Sequence, residues 1–373
     1  MLKVHRWFIL LGVVFIVFIA FSIDFQGNKL QSDFKRWLKD FTVELENSGI
    51  SEQTIESFNK QVKVVTDLDK TLENKMNFQE ELRYTLTDSL ILKAQLFYKD
   101  NVGVLSDKEK LTTIPATLVV ATMGVGSDFG DKYGNNKLID ILSTYIVMDK
   151  SAENNSKELL YFLQLVDKGY VSIDSLGNND GTFTYLGILP SSYLFYAVDG
   201  DKDGNIDLYN NIQDILDSAF AIYVKQGWSL GFSWGEKVDV PLGVDVSSNQ
   251  GLENAKPISF FKNMGITKEF GEPLLDDGSI STLMLTDGKN KGVLLSNNFN
   301  VVFKSSMDIS RAVSTVLLHD ELQKYKSLMT YKEENVRSEP KKQPRQNNYS
   351  NKKVKKIDDL PPPVEYRDLE MIK

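Results

Sequence analysis

The densest set of chemistry-bearing side chains lies in Asp199-Gly200-Asp201-Lys202-Asp203-Gly204-Asn205-Ile206-Asp207-Leu208. Asp199, Asp201, Asp203 and Asp207 fall where an EF-hand-type loop opening places its oxygen ligands, and Gly204 falls at the bend. Oxygen donors alternating along a tight turn can converge on one hard cation. Four carboxylates so close repel one another without one, so the spacing points to a structural Ca2+, with Asn205 as a further donor in the loop. The loop departs from the pattern at its end, where Asn210 stands in place of glutamate. The competing reading is an Asp/Gly-rich turn that caps a helix starting after Asn210 or Asn211.

Composition removes most other chemistry. The 373 residues include no cysteine, which excludes disulfides, thiolate metal sites and cysteine nucleophiles. The only two histidines are His5, ahead of an apolar run, and His319, within the helical-looking stretch Val313–Tyr325. Neither a Ser-His-Asp triad nor a His-rich zinc site is supported. Acid–base chemistry would have to come from carboxylates. The net charge is −8, yet seven basic residues and no acidic one lie between Pro340 and Ile357. The rest of the chain is correspondingly acidic, which argues against nucleic acid as a partner. The basic stretch could touch an anionic surface.

Helices are expected to position these groups. Phe34, Leu38, Phe41 and Leu45 form one apolar stripe that Trp37 widens. Gly49-Ile50-Ser51 breaks it, with Ser51 capping the next helix. Residues 76–108 read as helix-like, with Leu82, Leu86, Leu90 and Leu92 on the apolar side. Pro115 is placed to open a helix over Ala116–Met123. Asn154–Asp167 and Ile212–Gln226 are further amphipathic helices. After Trp234 the character changes. Val238–Val240, Thr282–Leu285 and Gly292–Leu295 are short β-branched or apolar runs between turn residues, as in a small sheet. Asp308–Tyr325 returns to helix. Beyond Lys332 large apolar residues are scarce, and disorder is expected.

At the N-terminus, Lys3 and Arg6 precede an uncharged apolar run from Trp7 to Ile23. At ~1.5 Å per residue the run just spans a hydrocarbon core. It is either a membrane anchor or a signal peptide with Ala20-Phe21-Ser22 as a cleavage site. The basic flank puts the N-terminus in the cytoplasm. Both alternatives export the body: into the periplasm tethered to the inner membrane, or as a soluble periplasmic protein.

Two further stretches complete an ordered set with the acidic loop: Gly124-Val125-Gly126-Ser127-Asp128-Phe129-Gly130, and Gly181 through Tyr193. Together with Trp37, Gly49-Ile50-Ser51, Gly227-Trp228, Asn298-Phe299 and the helix after Ser306, this set resembles the membrane-bound lytic murein transglycosylase B family over residues 30–325. The resemblance implies a mainly α, lysozyme-like α+β fold: a helical region (24–110), a core (111–235) carrying the EF-hand-like loop, a small antiparallel β region (236–300) and a C-terminal helix (301–330), followed by the basic, Pro-containing tail (331–373). In that family the substrate is the peptidoglycan glycan strand. One glutamic acid protonates the glycosidic oxygen and then acts as base, leaving a 1,6-anhydro product. Such an acid must be kept protonated near neutral pH by an apolar or desolvated setting. The family's loop is longer, and Asp214 matches its last acid. The resemblance also implies a groove lined with aromatics and the Pro-Ser-Ser turn, with Tyr185, Ser191, Ser192 and Tyr193 as candidates and Phe195 and Tyr196 nearby. Core filling competes for each aromatic, and Trp228 and Trp234 are expected to fill core.

The same comparison places departures where sugar and proton should be handled. The family's Gly-Val-Glu-Thr/Ser-x-Phe/Tyr-Gly puts Gly126 at the glutamate, and glycine cannot donate a proton. Asp128 is the nearest carboxylate. If the helix continues, it lies about 200° around the axis from position 126. In Gly-Ala-Met-Gly-x-x-Gln-Phe-Met-Pro-Ser-Ser, Gly181, Pro190, Ser191 and Ser192 match, but Thr182, Phe183 and Thr184 replace Ala-Met-Gly and Gly187 replaces the glutamine. The late Tyr-Asn-x-Ser-x-x-Tyr becomes Phe303-Lys304-Ser305-Ser306-Met307-Asp308-Ile309. Losing the acid removes a contribution of roughly 10²–10⁴ in rate. The expectation is a membrane-tethered, non-cleaving member that binds peptidoglycan or an envelope protein. The alternatives are an active enzyme with a displaced acid such as Asp128, and an envelope-machine component that docks through its tail.

Overall fold

A computed structural model describes residues 29–65, 68, 76–148, 151–306 and 308–338. The apolar run at Trp7–Ile23 and the tail beyond Ser338 lie outside the described residues. Among the described residues no helix is long and apolar enough to cross a membrane. The chain divides into two units, Met1–Ser327 and Leu328–Lys373.

The first helix, α1 (residues 29–47), buries Phe34, Phe41 and Leu45, and Trp37 stacks on Phe41 at 5.1 Å. Ser51 caps α2 (Glu52–Gln61) by accepting the Thr54 N–H. The stretch expected as one helix-like run is three helices: α3 (Phe78–Thr85), α4 (Asp88–Asp100) and α5 (Val102–Thr112). Thr87 caps α4 and resets the helical phase. Leu82 and Leu90 are buried, while Leu92, expected on the same side, lies about 200° around the same helix from Leu90 and is 57% exposed.

Pro115 precedes α6 (Ala116–Ser127), which is buried almost all round. A helix without a polar face has to run through the core. Against it pack α4, α5 and α10 (Ile212–Lys225). Two more helices, α7 (Leu138–Val147) and α8 (Ala152–Asp167), pack together, and the short α9 (Pro190–Tyr196) lies on α8. A two-residue ladder pairs β1 (Asn136–Lys137) with β2 (Leu176–Gly177).

The second layer is an antiparallel sheet of β3 (Gly235–Asp239), β4 (Lys256–Pro257), β5 (Thr267–Lys268), β6 (Ile280–Leu285) and β7 (Lys291–Leu295), in the order β4-β6-β7-β3-β5. Val238 pairs with Gly292 and Leu283 with Leu294. The sheet has its own core, including Val238, Phe261, Leu283 and Leu294 beside α11 (Ile258–Asn263). The short α12 (Phe299–Ser306) leads to α13 (Ile309–Ser338). The latter extends past the expected end at 330, because Lys332-Glu333-Glu334 are good helix formers and the first proline comes at Pro340. Buried Ala312, Val313, Val316 and Leu318 lay α13 along α6, where His319 Nδ1 is 2.8 Å from Thr117 Oγ1. Trp234 is buried, as expected, and its indole N–H donates to Asp320 at 3.2 Å. Trp228 is half-buried, edge-on to Tyr223.

Candidate functional site

The C-terminal end of α6 carries Gly126 and Asp128. The helix does not continue through this segment, as the 200° argument required. Asp128 is its left-handed cap at φ 52°, followed by Phe129 at φ 60° and Gly130 at φ 85°. The Ser127 hydroxyl accepts the Gly130 N–H at 2.8 Å and donates to the Tyr185 carbonyl at 2.7 Å, tying this turn to the second motif. Asp128 sits between Lys93 at 3.0 Å and Lys132 at 3.1 Å. Burial pushes its carboxyl up, but hydrogen bonds from the two lysines outweigh that and hold it below the ordinary carboxylate range. It is ionised at neutral pH and has no proton to give.

Gly126 is buried against the hairpin in which Phe183 and Ile188 exchange both backbone hydrogen bonds, at 2.9 and 3.0 Å. A Cβ on Gly126 would meet the Leu186 carbonyl oxygen at 2.4 Å and its carbon at 2.6 Å. A Cβ on Gly187 would meet the Gly126 Cα at 2.5 Å. The positions matched above to the family's glutamate and glutamine thus touch backbone to backbone. Beside them, lined in part by Thr122, Gly126, Gly187, Tyr223 and Arg311, is a cavity of about 20 Å³. That holds one water, not a sugar ring.

The groove candidates separate. Tyr185 is half-buried, its ring lying over Gly130, and burial pushes its hydroxyl up to about 12. The Ser191 N–H donates to Glu158 at 2.8 Å, and burial raises the Glu158 carboxyl. Ser192 is buried. Tyr193 does not face a groove: it is 1% exposed, rests on Phe183, and donates its hydroxyl to the Ile206 carbonyl at 2.5 Å. A tyrosine at this spacing falls on the inner face of the short α9 and acts as a strut for the acidic loop. Phe195 is 53% exposed and meets Tyr161 edge-on at 5.0 Å, with Tyr196 half-buried beside it.

In the acidic loop, ligand oxygens of Asp199, Asp201 and Asp203 lie within 4.8 Å of one another. Asp199 Oδ2 accepts the Gly204 N–H at 2.9 Å, while Asp199 Oδ1 is buried without a hydrogen-bond partner. An orphaned buried carboxylate oxygen beside two more carboxylates fits a hard divalent cation. The other sequence candidates are used differently. Asp207 Oδ1 accepts the backbone N–H of Tyr209 at 2.8 Å and of Asn210 at 3.0 Å. Asp214, fully buried in the first turn of α10, accepts the N–H of Gly200 and of Asp207, each at 2.7 Å. Asn205 donates its N–H to Asp203 at 2.8 Å. Asp207 and Asp214 therefore fasten the loop, and the cluster open to a cation is Asp199, Asp201 and Asp203. Missing from the sequence reading were Arg311, Asp180, Lys93 and Lys132. A lone arginine among the alanine and valines that open α13 was the signal available for the first.

The Transglycosylase SLT domain family matches residues 33–305. Membrane-bound lytic murein transglycosylase B of Escherichia coli (strain K12) is 28% identical over 155 residues, covering 40% of this chain. The matched stretch spans 43% of that relative's length, less than half of it. Among solved structures, SltB3 from Pseudomonas aeruginosa in complex with NAG-anhNAM-pentapeptide superposes with a TM-score of 0.65 at 25% identity, over 78% of this chain and 79% of that one. Escherichia coli Slt35 in complex with calcium gives 0.63 at 20% identity, over 77% and 92%. The largely helical body with its small antiparallel sheet is the lysozyme-like fold of these lytic transglycosylases. With its helical region, core motifs and sheet all inside the matched residues, the chain belongs to the Transglycosylase SLT domain family.

Proposed function

We propose that this chain is a cell-envelope protein that binds the peptidoglycan glycan strand, or a partner associated with it, without cleaving it. The observation that carries this reading is the backbone contact at Gly126: the position has no carboxyl, and the Leu186–Gly187 peptide takes up the space one would need. General acid catalysis needs a proton held within hydrogen-bond reach of the leaving oxygen. Asp128, the alternative acid, is kept ionised by Lys93 and Lys132, which weighs against the active-enzyme reading.

A glycan partner is supported by family membership and by the muropeptide held by SltB3. Tyr185 and Ser191 remain the groove candidates. Asp199, Asp201 and Asp203 would hold Ca2+, which supplies charge neutralisation and a fixed loop, in keeping with the calcium named for Slt35. Trp7–Ile23 would tether the body on the periplasmic face of the inner membrane, with export as a soluble protein the alternative.

The test is co-sedimentation of the full-length chain, in mild detergent, with purified sacculi, alongside mass spectrometry of the supernatant. Pelleting without 1,6-anhydro-muropeptides is expected. Anhydro products that disappear in Asp128→Asn would overturn the reading. Absence of pelleting would turn it toward a protein partner.

A further inference from the structure

Gly126 and Gly187 do more than lack side chains; the backbone beside each lies where the other's Cβ would go. A Cβ on Gly187, at φ 60°, would also meet Arg311 Nη1 at 2.7 Å and the Gly126 carbonyl oxygen at 2.8 Å. Arg311, from the first turn of α13, is the third member of the contact. Its Nη1 donates to the Gly126 carbonyl at 3.3 Å, and its Nη2 pairs with Asp180 at 2.9 Å. The pair is largely sheltered, with the side chains 19% and 20% exposed. Asp180 in turn accepts the N–H of Thr182 at 3.0 Å and its hydroxyl at 2.6 Å, at the foot of the hairpin.

The arginine meets a real need at each end. Carbonyls in the last turn of a helix lack intrahelical donors. Gly130, four residues on from Gly126, gives its N–H to the Ser127 hydroxyl instead. The turn beside Arg311 is also poorly placed on its own account. Thr184 is a β-branched residue at φ 69°, buried, with no partner for its hydroxyl. Such a conformation persists only when its surroundings impose it.

We propose that Arg311 is the positioning residue of a latch. Bridging the end of α6 to Asp180, it holds the strained Thr184–Gly187 turn in the place of an acid's side chain and shuts the cleft where a glycan would have to lie to be cut. This rests on the non-cleaving reading and deepens it: closure of the cleft, together with the lost carboxyl, takes the chain out of cleavage. Restoring a glutamate at position 126 alone does not reopen the site.

The test is hydrogen–deuterium exchange on the full-length chain without any glycan, so its outcome is independent of peptidoglycan binding. In Arg311→Met, amides of residues 183–188 are expected to exchange at least about tenfold faster than in the wild type, with α7 and the β6–β7 pair unchanged. Should that variant not fold, Arg311→Lys is measured instead; it keeps a charge beside Asp180 but reaches one acceptor rather than two, and the same local acceleration is expected. Gly126→Ala is expected to lower Tm by roughly 3–10 °C, because the Leu186 carbonyl has to move. Unchanged exchange at 183–188, acceleration spread evenly over the chain, or a Gly126→Ala variant as stable as the wild type would each overturn the latch.

Discussion

The end of α6 and the Asp199–Asp214 loop use backbone and side chains in opposite ways. At the end of α6 positions 126 and 187 are glycines, and the Leu186 backbone lies where a Cβ on Gly126 would go. In the loop the carboxylates remain, crowded enough that Asp199 keeps an oxygen without a partner. Crowded acids cost stability unless something offsets their repulsion, so their retention points to a cation or to work for the fold. The contrast is between side chains that fasten a loop and a place beside Gly126 that backbone occupies.

The largest effect is expected from placing an acid at position 126. Gly126→Glu is expected to give no anhydro-muropeptides and to lower stability by about 3 kcal/mol or more, as for overpacking of a rigid core site, read by urea unfolding. A stable Gly126→Glu variant that cleaves sacculi would mean that only the carboxyl was missing. On the other side, Asp214→Ala strands the Gly200 and Asp207 N–H groups and is expected to cost about 2–4 kcal/mol. A cost below about 1 kcal/mol would show that the loop is not fastened there.

How far the sequence carried this account depends on the kind of interaction. Stripes such as Phe34–Phe41–Leu45, the Pro115 helix start and the three principal strands were legible, because periodicity and caps are local. Leu92 was misplaced because two residues on from Leu90 in one helix is about 200° around the axis, so the two cannot share a face. That position 126 carries no carboxyl is read from one letter, Gly126. That backbone lies against it is not, since this depends on residues 186 and 311, far apart along the chain. Tyr193 went astray for a similar reason: facing the core or facing a groove is decided by what α9 packs on.

A smaller effect sharpens the role of α13, which carries Arg311. Asp320 is pushed up to about 6 chiefly by burial, whereas an unfolded aspartate titrates near 4. Between roughly pH 4 and 6 the folded chain keeps a proton the unfolded chain has lost, so this group's contribution falls as pH rises through that window. Asp320→Asn retains an acceptor for Trp234 and is expected to gain about 2 kcal/mol at pH 7, with the gain vanishing near pH 4. His319 has the opposite sign: burial lowers it to about 4, so its contribution is lost as pH falls from about 6.5 toward 4. Unfolding of Asp320→Asn across pH 4–7 should therefore expose a slope that the neighbouring pair masks in the wild type.

The smallest expected effect belongs to the loop. Millimolar Ca2+ should raise Tm of the full-length chain by a few degrees, in line with about 1–3 kcal/mol of linkage. Asp199→Ala should abolish that rise and Asp128→Asn should leave it intact. No response to Ca2+ in the wild type would make the acidic loop a hydrogen-bonded turn and nothing more.

The central claim is tested most directly by long incubation of the full-length wild-type chain with sacculi, with an active lytic transglycosylase as the parallel control and mass spectrometry of the soluble products. 1,6-anhydro-muropeptides are expected from the control and none above background from this chain. Their steady release by the wild type, scaling with protein concentration, would contradict it.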